Sequence, residues 1–185
     1  MKVTPTDIAD VLILEPKVFG DARGFFYESY NEKAFEEATG FKDGFVQDNH
    51  SRSSKGVLRG LHFQVEQPQG KLVRAVRGAV LDVVVDIRPA SATFGRWISV
   101  ELSEDNHRQL WVPPGLAHGF VVVTPTADFL YKTTEFYAPQ HERCLAWNDP
   151  VVAADWQLEK YGVAMPSLSA KDAVGMAFDA LPTTV

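Results

Sequence analysis

Gly56-Val57-Leu58-Arg59-Gly60-Leu61-His62-Phe63-Gln64 has the apolar content of a β-strand, yet it also contains an arginine, a glycine and a histidine. Strict alternation places Arg59 and His62 on opposite faces, with Arg59 on an otherwise apolar one. A bulge at Gly60 would turn both side chains to the same side. A fixed cation beside an imidazole suits an anionic ligand and acid–base chemistry. An edge strand with a solvated Arg59 and a hydrogen-bonded His62 explains the same residues, so this stretch alone leaves both interpretations open.

Short β-prone segments separated by turn signals surround this stretch along most of the chain. They predict further strands at residues 11–14, 25–30, 45–50, 71–77, 79–88, 96–102, 109–112, 119–124, 129–136 and 143–147. Asn31 and Gly40 cap a short predicted helix over residues 32–39. A second helix is predicted within residues 167–181, with Ser169 as its N-cap. Many short strands and few helices favour an all-β sandwich or jelly roll over a parallel α/β sheet.

Bulk composition limits the class of protein. A chain of 185 residues is most simply a single domain, spanning residues 1–185. A formal net charge of −6 argues against general nucleic-acid binding, which requires a basic surface. The single cysteine, Cys144, excludes an internal disulfide and a cysteine-based zinc cluster. Neither a secretory signal nor an apolar run of roughly 20 residues occurs, so we expect a cytoplasmic protein that does not span a membrane.

Two carboxylates interrupt the apolar run of residues 79–88. Asp82 and Asp86 share one face of this predicted strand with Val80 and Val84. Charges in such surroundings cost several kcal/mol unless they are paired, so both carboxylates need partners. A structural salt bridge with an arginine such as Arg74 is one solution, and a carboxylate that orients a nearby imidazole is the other.

The five histidines differ in their surroundings. His62 and His118 lie among strand-forming apolar residues, whereas the other three fall in polar turns or loops. One strand histidine is usually structural, but two with polar neighbours indicate a site. Tyr131 and Lys71 have ordinary explanations as a core tyrosine with a bonded hydroxyl and a solvated lysine.

Two segments resemble the signature segments of cupins, whose fold is a double-stranded β-helix or jelly roll. They are Gly60-Leu61-His62-Phe63-Gln64 and Pro113-Pro114-Gly115-Leu116-Ala117-His118. Metal-binding cupins have a second histidine where this chain has Gln64 and an acidic ligand where it has Lys71. A lysine repels a divalent cation, and two histidines leave too few ligands. The site is therefore predicted to hold no metal.

Six segments occur in the same order in the dTDP-4-dehydrorhamnose 3,5-epimerase family, which the chain resembles over nearly its whole length. They are Asp21-Ala22-Arg23-Gly24-Phe25-Phe26, Gln47-Asp48-Asn49, Val57-Leu58-Arg59-Gly60-Leu61-His62, Gly70-Lys71-Leu72-Val73-Arg74, Val112-Pro113-Pro114-Gly115 through His118-Gly119-Phe120, and Ser169-Ala170-Lys171-Asp172. The resemblance implies a cupin-like, cofactor-independent epimerase acting on a dTDP-4-keto-6-deoxy sugar. Such an enzyme inverts C3 and C5 on the route to dTDP-L-rhamnose and cell-surface polysaccharide.

The resemblance also implies a role for each candidate residue. His62 is the base, Asp172 its partner, Lys71 the cation at the C4 oxygen, and Tyr131 the acid on the opposite face. Asp82 is a further candidate for supporting the imidazole. The implied diphosphate contacts are Arg23, Arg59 and Lys171. Further implied contacts to nucleotide or sugar are Glu28, Gln47, Asn49, His118 and Glu142, with the aromatic residues Phe19, Phe26 and Tyr137 lining the pocket.

A homodimer in which N-terminal strands pair across the interface is implied as well, so some ligand contacts come from the other subunit. Three other functions compete with this one. An epimerase that inverts only C3 or only C5 would carry the same residues. A metal-dependent cupin is disfavoured by Gln64 and Lys71, and a non-catalytic sugar-nucleotide binding module is disfavoured by the set His62, Tyr131 and Asp172.

Overall fold

Two antiparallel sheets, of six and five strands, make up most of the computed structural model, which describes residues 1–182. The strands are β1 (Lys2–Pro5), β2 (Leu12–Glu15), β3 (Phe19–Asp21), β4 (Gly24–Phe26), β5 (Gln47–Ser54), β6 (Leu58–Gln64), β7 (Lys71–Arg77), β8 (Ala79–Asp86), β9 (Trp97–Ser103), β10 (Gln109–Val112), β11 (Leu116–Val122), β12 (Thr126–Thr133) and β13 (Glu142–Cys144). The first sheet has the order β1-β2-β10-β7-β12-β5, and the second has the order β13-β6-β11-β8-β9. Strands β3 and β4 form a separate hairpin. The predicted all-β, jelly-roll class is confirmed.

Apolar side chains of the two sheets form the central core. Val73 and Phe129 from the first sheet pack in one buried cluster with Val84 and Phe120 from the second. A second cluster covers the outer face of the second sheet, where Leu61, Leu81, Val83 and Val85 meet the C-terminal segment through Trp156 and Phe178. Strand β8 is therefore buried along all eight residues, which explains its nearly continuous apolar sequence.

Among residues 1–182 the structure has one α-helix, α1 (Glu32–Thr39), and it matches the first of the two predicted helices. The Asn31 side chain accepts a hydrogen bond from the backbone of Ala34, and Gly40 ends the helix with a left-handed φ of 73°. Phe35 is the buried residue of the helix and packs edge-on against Trp111 of β10. No helix among residues 1–182 is long and apolar enough to cross a membrane.

The predicted helix within residues 167–181 is wrong. This segment forms two short 3-10 turns, Asp172–Val174 and Phe178–Ala180, separated by an extended Gly175. The backbone of Met176 bonds to Cys144 and Ala146, so the segment is held as an extended neighbour of the sheet rather than as a helix. Ser169 still caps a turn, because its hydroxyl accepts a hydrogen bond from the backbone N–H of Asp172. The last three residues of the predicted domain, 183–185, lie outside the described residues.

Most predicted strands are present with shifted ends, and one is largely wrong. The prediction over residues 25–30 fails beyond Phe26, because its partner β3 is only three residues long. Tyr27 instead packs its ring 5.1 Å from that of His107. Strands β1 and β3 were not predicted, since both are short and weakly alternating. The strand predicted over residues 45–50 instead spans Gln47–Ser54, so His50, assigned from its neighbours 51–54 to a following loop, lies inside β5.

Candidate active site

A bulge in β6 brings Arg59 and His62 to the same side of the sheet. His118 of β11 pairs with His62, and Phe120 pairs with Arg59, so β6 has one extra residue between these two positions. Gly60 lies at the bulge with a φ of +121°. Both Arg59 and His62 line the same cavity. Of the two interpretations of the opening stretch, the bulge that turns both side chains to one side is therefore the one that the structure confirms.

Close backbone contact explains why the bulge contains a glycine. A Cβ on Gly60 would lie 2.6 Å from the Cα of Gly119 and 2.7 Å from the carbonyl oxygen of His118. A Cβ on Gly119 would in turn lie 2.6 Å from the carbonyl oxygen of Arg59. The two glycines therefore allow β6 and β11 to approach more closely than any other pair of residues would permit.

The cavity, of about 340 Å³, is lined by residues of both sheets. The second sheet contributes Arg59, His62, His118 and Glu142, and the first sheet contributes Lys71 and Tyr131. Ten of the predicted site residues line the cavity: Gln47, Asn49, Arg59, His62, Lys71, His118, Tyr131, Tyr137, Glu142 and Lys171. Groups on two facing sheets can act on opposite faces of a molecule bound between them.

His62 and Asp172 form a hydrogen-bonded pair. His62 Nε2 lies 2.6 Å from Asp172 Oδ1, and Asp172 Oδ2 accepts a 2.6 Å hydrogen bond from the Ser169 hydroxyl. Burial acts to raise the pKa of Asp172, but hydrogen bonds from His62, Ser169 and the Gly60 backbone outweigh it and lower that pKa to about 2. A carboxylate at Nε2 favours the tautomer protonated there, which leaves Nδ1 as the proton acceptor.

A second histidine–aspartate pair lies on the adjacent strands. His118 Nε2 is 3.0 and 2.9 Å from the two carboxylate oxygens of Asp82, which is completely buried. Burial raises the pKa of Asp82, and His118 opposes the shift. Asp82 therefore orients the imidazole of His118 and not that of His62.

The salt bridge suggested for these carboxylates with Arg74 is wrong. Arg74 pairs in register with Gln109 and Leu130 in the first sheet, whereas β8 lies in the second sheet. Asp86 accepts hydrogen bonds from Arg88, Ser91 and Thr93 instead. These bonds outweigh the effect of burial and lower the pKa of Asp86 to about 2.

Lys71 is buried at the start of β7, which excludes the ordinary explanation of a solvated lysine. Its side chain is 7% exposed, and its ammonium donates a 3.4 Å hydrogen bond to the carbonyl oxygen of His62. Burial lowers the pKa of Lys71 to about 8, although the nearby carboxylates of Glu142 and Asp82 oppose that shift. The cavity thus contains an ammonium group that can interact with an oxygen developing negative charge.

Tyr131 and a cluster at the cavity edge complete the polar lining. Burial raises the pKa of Tyr131, so its hydroxyl is a proton donor at neutral pH. At the edge, Glu142 Oε2 lies 2.5 Å from the ammonium of Lys171 and accepts a 2.7 Å hydrogen bond from Tyr137. This hydrogen bond, followed by burial, raises the pKa of Tyr137 to about 12. Arg59 donates from its guanidinium to the Ser53 hydroxyl.

Four predicted site residues lie away from the cavity within this chain. Phe19, Arg23 and Phe26 are on the exposed β3–β4 hairpin, where the guanidinium of Arg23 bonds to Asp21. Glu28 is exposed before α1 and accepts a weak hydrogen bond from the Asn31 amide. Asp172 and Asp82 also do not line the cavity, because they lie behind the histidines that they contact.

Sequence reasoning missed several cavity residues. They are Ser51, Phe63, Gln69, Gly119, Phe120 and Phe129, with Gln64 considered only as a metal position. Alternation along β5 would have found Ser51, because Gln47 and Asn49 precede it at the same spacing. The same rule places Phe129 beside Tyr131 on β12.

The residues at the cupin ligand positions do not fit a metal ion. The amide of Gln64 is fully engaged, since its nitrogen donates to the carbonyl oxygens of Gln67 and Phe136 and its oxygen accepts from Ala138 N–H. Lys71 places an ammonium in the cavity itself. A different set of donors does converge behind the cavity. One atom each of His62, Cys144 and Asp172 lie within 4.8 Å of one another.

Comparison with known proteins identifies the family. The family model described as dTDP-4-dehydrorhamnose 3,5-epimerase matches residues 5–180. A protein of this name from Pseudomonas aeruginosa is 60% identical over 178 residues, which are 96% of each chain. The chain belongs to the dTDP-4-dehydrorhamnose 3,5-epimerase family. It is therefore an isomerase, and the family resemblance found in the six sequence segments is confirmed.

Solved structures of family members have the same fold. The dTDP-6-deoxy-D-glucose-3,5-epimerase of Legionella pneumophila, in complex with dTDP-4-keto-L-rhamnose, superposes with a TM-score of 0.94 and 50% identity, covering 98% of this chain and 94% of that one. A 3'-monoepimerase of Streptomyces bikiniensis, in complex with dTDP-quinovose, superposes with a TM-score of 0.86 and 32% identity, covering 95% and 87%. The fold thus accommodates enzymes that invert one centre as well as two.

Proposed function

We propose that the chain converts dTDP-4-dehydro-6-deoxy-D-glucose to dTDP-4-dehydro-L-rhamnose by inverting C3 and C5, without a cofactor. The observation that carries the proposal is the placement of His62, hydrogen-bonded to Asp172, on one sheet and of Lys71 and Tyr131 on the other, around one cavity. High identity over the full length to named 3,5-epimerases, against 32% to the monoepimerase, favours two centres over one.

The substrate's own C4 carbonyl makes the reaction possible, because it acidifies the protons on C3 and C5. His62 takes one of these protons, and the C–H electron pair moves to the C4 oxygen as an enolate. Lys71 stabilises that negative charge. Tyr131 then donates its proton to the opposite face of the carbon, so the configuration inverts. Solvent carries the proton from the imidazolium back to the tyrosinate, and the same steps follow at the other carbon.

Cations around the cavity suit the two phosphates of the substrate. Arg59 lines the cavity, and its planar guanidinium can donate two parallel hydrogen bonds to the oxygens of one phosphate. Lys171 lies at the edge, where Glu142 holds its ammonium. Gln47, Asn49 and His118 supply polar groups for the sugar and the base, and Tyr137 supplies an exposed ring.

Hydrogen exchange tests the reaction directly. Incubation with dTDP-4-dehydro-6-deoxy-D-glucose in heavy water is expected to introduce deuterium at both C3 and C5, as measured by NMR. His62→Ala is expected to lose exchange at both carbons, whereas His141→Ala, outside the cavity lining, is expected to keep it. Exchange at one carbon would indicate a monoepimerase. Binding of dTDP without any exchange would indicate a binding module, and normal exchange in His62→Ala would disprove the assigned base.

We also propose a homodimer in which the β3–β4 hairpin completes the cavity of the second subunit. The hairpin exposes the rings of Phe19, Phe25 and Phe26 by 54%, 64% and 68%, and such aromatic exposure is typical of an interface. Arg23 on the same hairpin is distant from the cavity lining of its own chain. Placing the hairpin on a partner would bring Arg23 to the diphosphate and the phenylalanines to the rim.

Mixed dimers distinguish the two placements of the hairpin. Arg23→Ala and His62→Ala chains, each weak or inactive alone, are unfolded and refolded together. If Arg23 serves the partner's cavity, a mixed dimer contains one intact site, and about a quarter of wild-type activity returns at equal mixing. If Arg23 serves its own cavity, mixing restores nothing and the proposal fails. Refolding each variant alone is the control.

We further propose that residues 1–185 act as one domain in the cytoplasm. The family match over residues 5–180 supports a single unit, and the use of a nucleotide-linked sugar supports an intracellular site of action. Limited proteolysis is expected to leave this unit whole, and cell fractionation is expected to recover the activity with cytoplasmic markers. Recovery in the membrane or secreted fraction would contradict the location.

A further inference from the structure

Three side chains of different chemistry meet beside the cavity, and one of them is the imidazole of the proposed base, His62. Cys144 on β13 is the register partner of His62 on β6, and the turn at Asp172 brings its carboxylate to the same place. A ring nitrogen, a thiol sulfur and a carboxylate oxygen thereby lie within 4.8 Å of one another. The reaction uses the histidine and the aspartate, whereas Cys144 has no part in it.

These donors match the preferences of Zn²⁺. Zinc binds thiolate, imidazole and carboxylate at about 2.0 to 2.3 Å in a tetrahedral arrangement, which places neighbouring ligand atoms roughly 3.5 Å apart. His62 and Asp172 lie closer than this, at 2.6 Å, and the Cys144 sulfur lies within 4.8 Å of both, so side-chain rotation has to widen the first gap and close the others. Backbone pairing between β13 and β6 keeps Cys144 opposite His62.

We propose that His62, Cys144 and Asp172 form an inhibitory site for Zn²⁺ or a similar thiophilic divalent cation. The bound cation takes the lone pair of His62 Nε2, whose proton passes through solvent to Nδ1, and it separates the imidazole from Asp172. Nδ1 is then protonated and can no longer accept a proton from the substrate, so the base is lost. The Cys144 thiol gives its proton to solvent, and water occupies the fourth position of the metal. The inhibitory consequence rests on the proposed function, whereas binding of the metal does not.

Charges around the three ligands permit a cation there. Asp172 supplies one carboxylate. Glu142, two residues before Cys144, supplies a second, which is close enough to interact electrostatically with the Cys144 thiol. Two ammonium groups oppose a metal: that of Lys171 is held by Glu142, and that of Lys71 donates to the carbonyl oxygen of His62 rather than facing the three ligand atoms as an ion pair. Access is available because His62 and Cys144 are both partly exposed.

Cobalt tests binding independently of any enzyme activity. Titration of the protein with Co²⁺ is expected to produce the near-ultraviolet absorption of a thiolate bound to cobalt, and Zn²⁺ is expected to abolish it. Cys144→Ala removes the only thiol in the chain, so it is expected to show no such band. Absence of the band in the wild-type protein would overturn the proposal, whatever reaction the protein catalyses.

Inhibition is then measured by exchange of substrate hydrogen in heavy water. Zn²⁺ is expected to stop exchange by the wild-type protein, and a chelator is expected to restore it. Cys144→Ala and Cys144→Ser are expected to exchange normally without metal and to need at least tenfold more Zn²⁺ for the same inhibition. His141→Ala, which alters a histidine near Glu66, is the matched control and should keep wild-type sensitivity. Equal Zn²⁺ sensitivity of the Cys144 variants and wild type would overturn the proposal.

Discussion

The carboxylate of Asp172 lies 2.6 Å from the imidazole of His62, although 110 residues separate the two in sequence. Asp172 is carried by a 3-10 turn of the C-terminal segment, and that turn lies against β6. A second hydrogen bond from Ser169 fixes the other carboxylate oxygen. The C-terminal segment is therefore part of the proposed active site, because its Asp172 orients the imidazole of the proposed base.

Replacing Asp172 tests this arrangement. Asp172→Asn preserves the shape of the side chain but removes the charge that stabilises the imidazolium, so kcat is expected to fall by about 10²- to 10⁴-fold. KM for the sugar nucleotide is expected to change little, because Asp172 does not line the cavity. Steady-state kinetics measure both constants.

Ser169→Ala is the matched control for that variant. It removes one hydrogen bond to the same carboxylate without removing the charge, so a loss of about tenfold or less in kcat is expected. Equal losses for the two variants would mean that the segment acts only by its structure, and that the charge of Asp172 is irrelevant.

The buried Lys71 predicts that kcat depends on pH. Because burial lowers the pKa of Lys71 to about 8, the ammonium is present below this pH and is lost above it. Stabilisation of the enolate requires the charged form, so kcat is expected to decline as the pH rises through about 8. Tyr131 does not account for this decline, because its pKa is raised above 10.

Two substitutions at Lys71 separate charge from shape. Lys71→Arg keeps a charge at all accessible pH values, so the decline near pH 8 is expected to disappear, at a reduced rate. Lys71→Met removes the charge, and kcat is expected to fall by about 10²- to 10³-fold at pH 7. A decline near pH 8 that persists in Lys71→Arg would assign it to another group.

How much of the site could be predicted differs from residue to residue. Alternation and Gly60 offered a bulge that turns Arg59 and His62 to one side as one of two interpretations, because a bulge is a local event in one strand, and the family resemblance then favoured it. Residues 47, 49 and 131 could be placed there only through the family resemblance, since no local rule predicts which strands become neighbours in a two-sheet fold. Pairing between strands that are distant in sequence decides which residues share the cavity.

The wrong predictions about the fold also come from contacts between residues distant in sequence. Helix propensity in residues 167–181 was real, but backbone pairing of Met176 with Cys144 and Ala146 overrides it. Gly175 permits this, because a Cβ there would lie 2.6 Å from the backbone of Ala146. Arg74 was chosen as a partner for buried carboxylates by charge alone, although sheet order places it on the other sheet.

Gln64 is expected to position the segment that carries Tyr137. Its buried amide bonds to Phe136 O and Ala138 N, on either side of the exposed Tyr137. Gln64→Ala is expected to raise KM several-fold while kcat stays within about twofold, because the role proposed for Tyr137 is to bind substrate and not to react. Chymotrypsin is expected to cut this variant faster at Phe136 or Tyr137.

Gln140→Ala is the control for that experiment. Gln140 follows the same segment, and its side chain is exposed, so both KM and the rate of cleavage should match the wild-type protein. A fall in kcat without a change in KM for Gln64→Ala would show that Gln64 acts on the chemistry rather than on the segment.

Gly60→Ala tests the contact that brings Arg59 and His62 together. The new methyl group would lie 2.6 Å from Gly119 Cα at a φ of +121°, so crowding adds to backbone strain. The free energy of unfolding, from urea titration, is expected to fall by about 3 to 5 kcal/mol, with loss of activity. Gly44→Ala is the control, because Gly44 has a left-handed φ of +74° and open space around it. It should lose only the strain, about 1 to 2 kcal/mol, and equal losses in both variants would show that close approach to Gly119 is not what requires glycine at position 60.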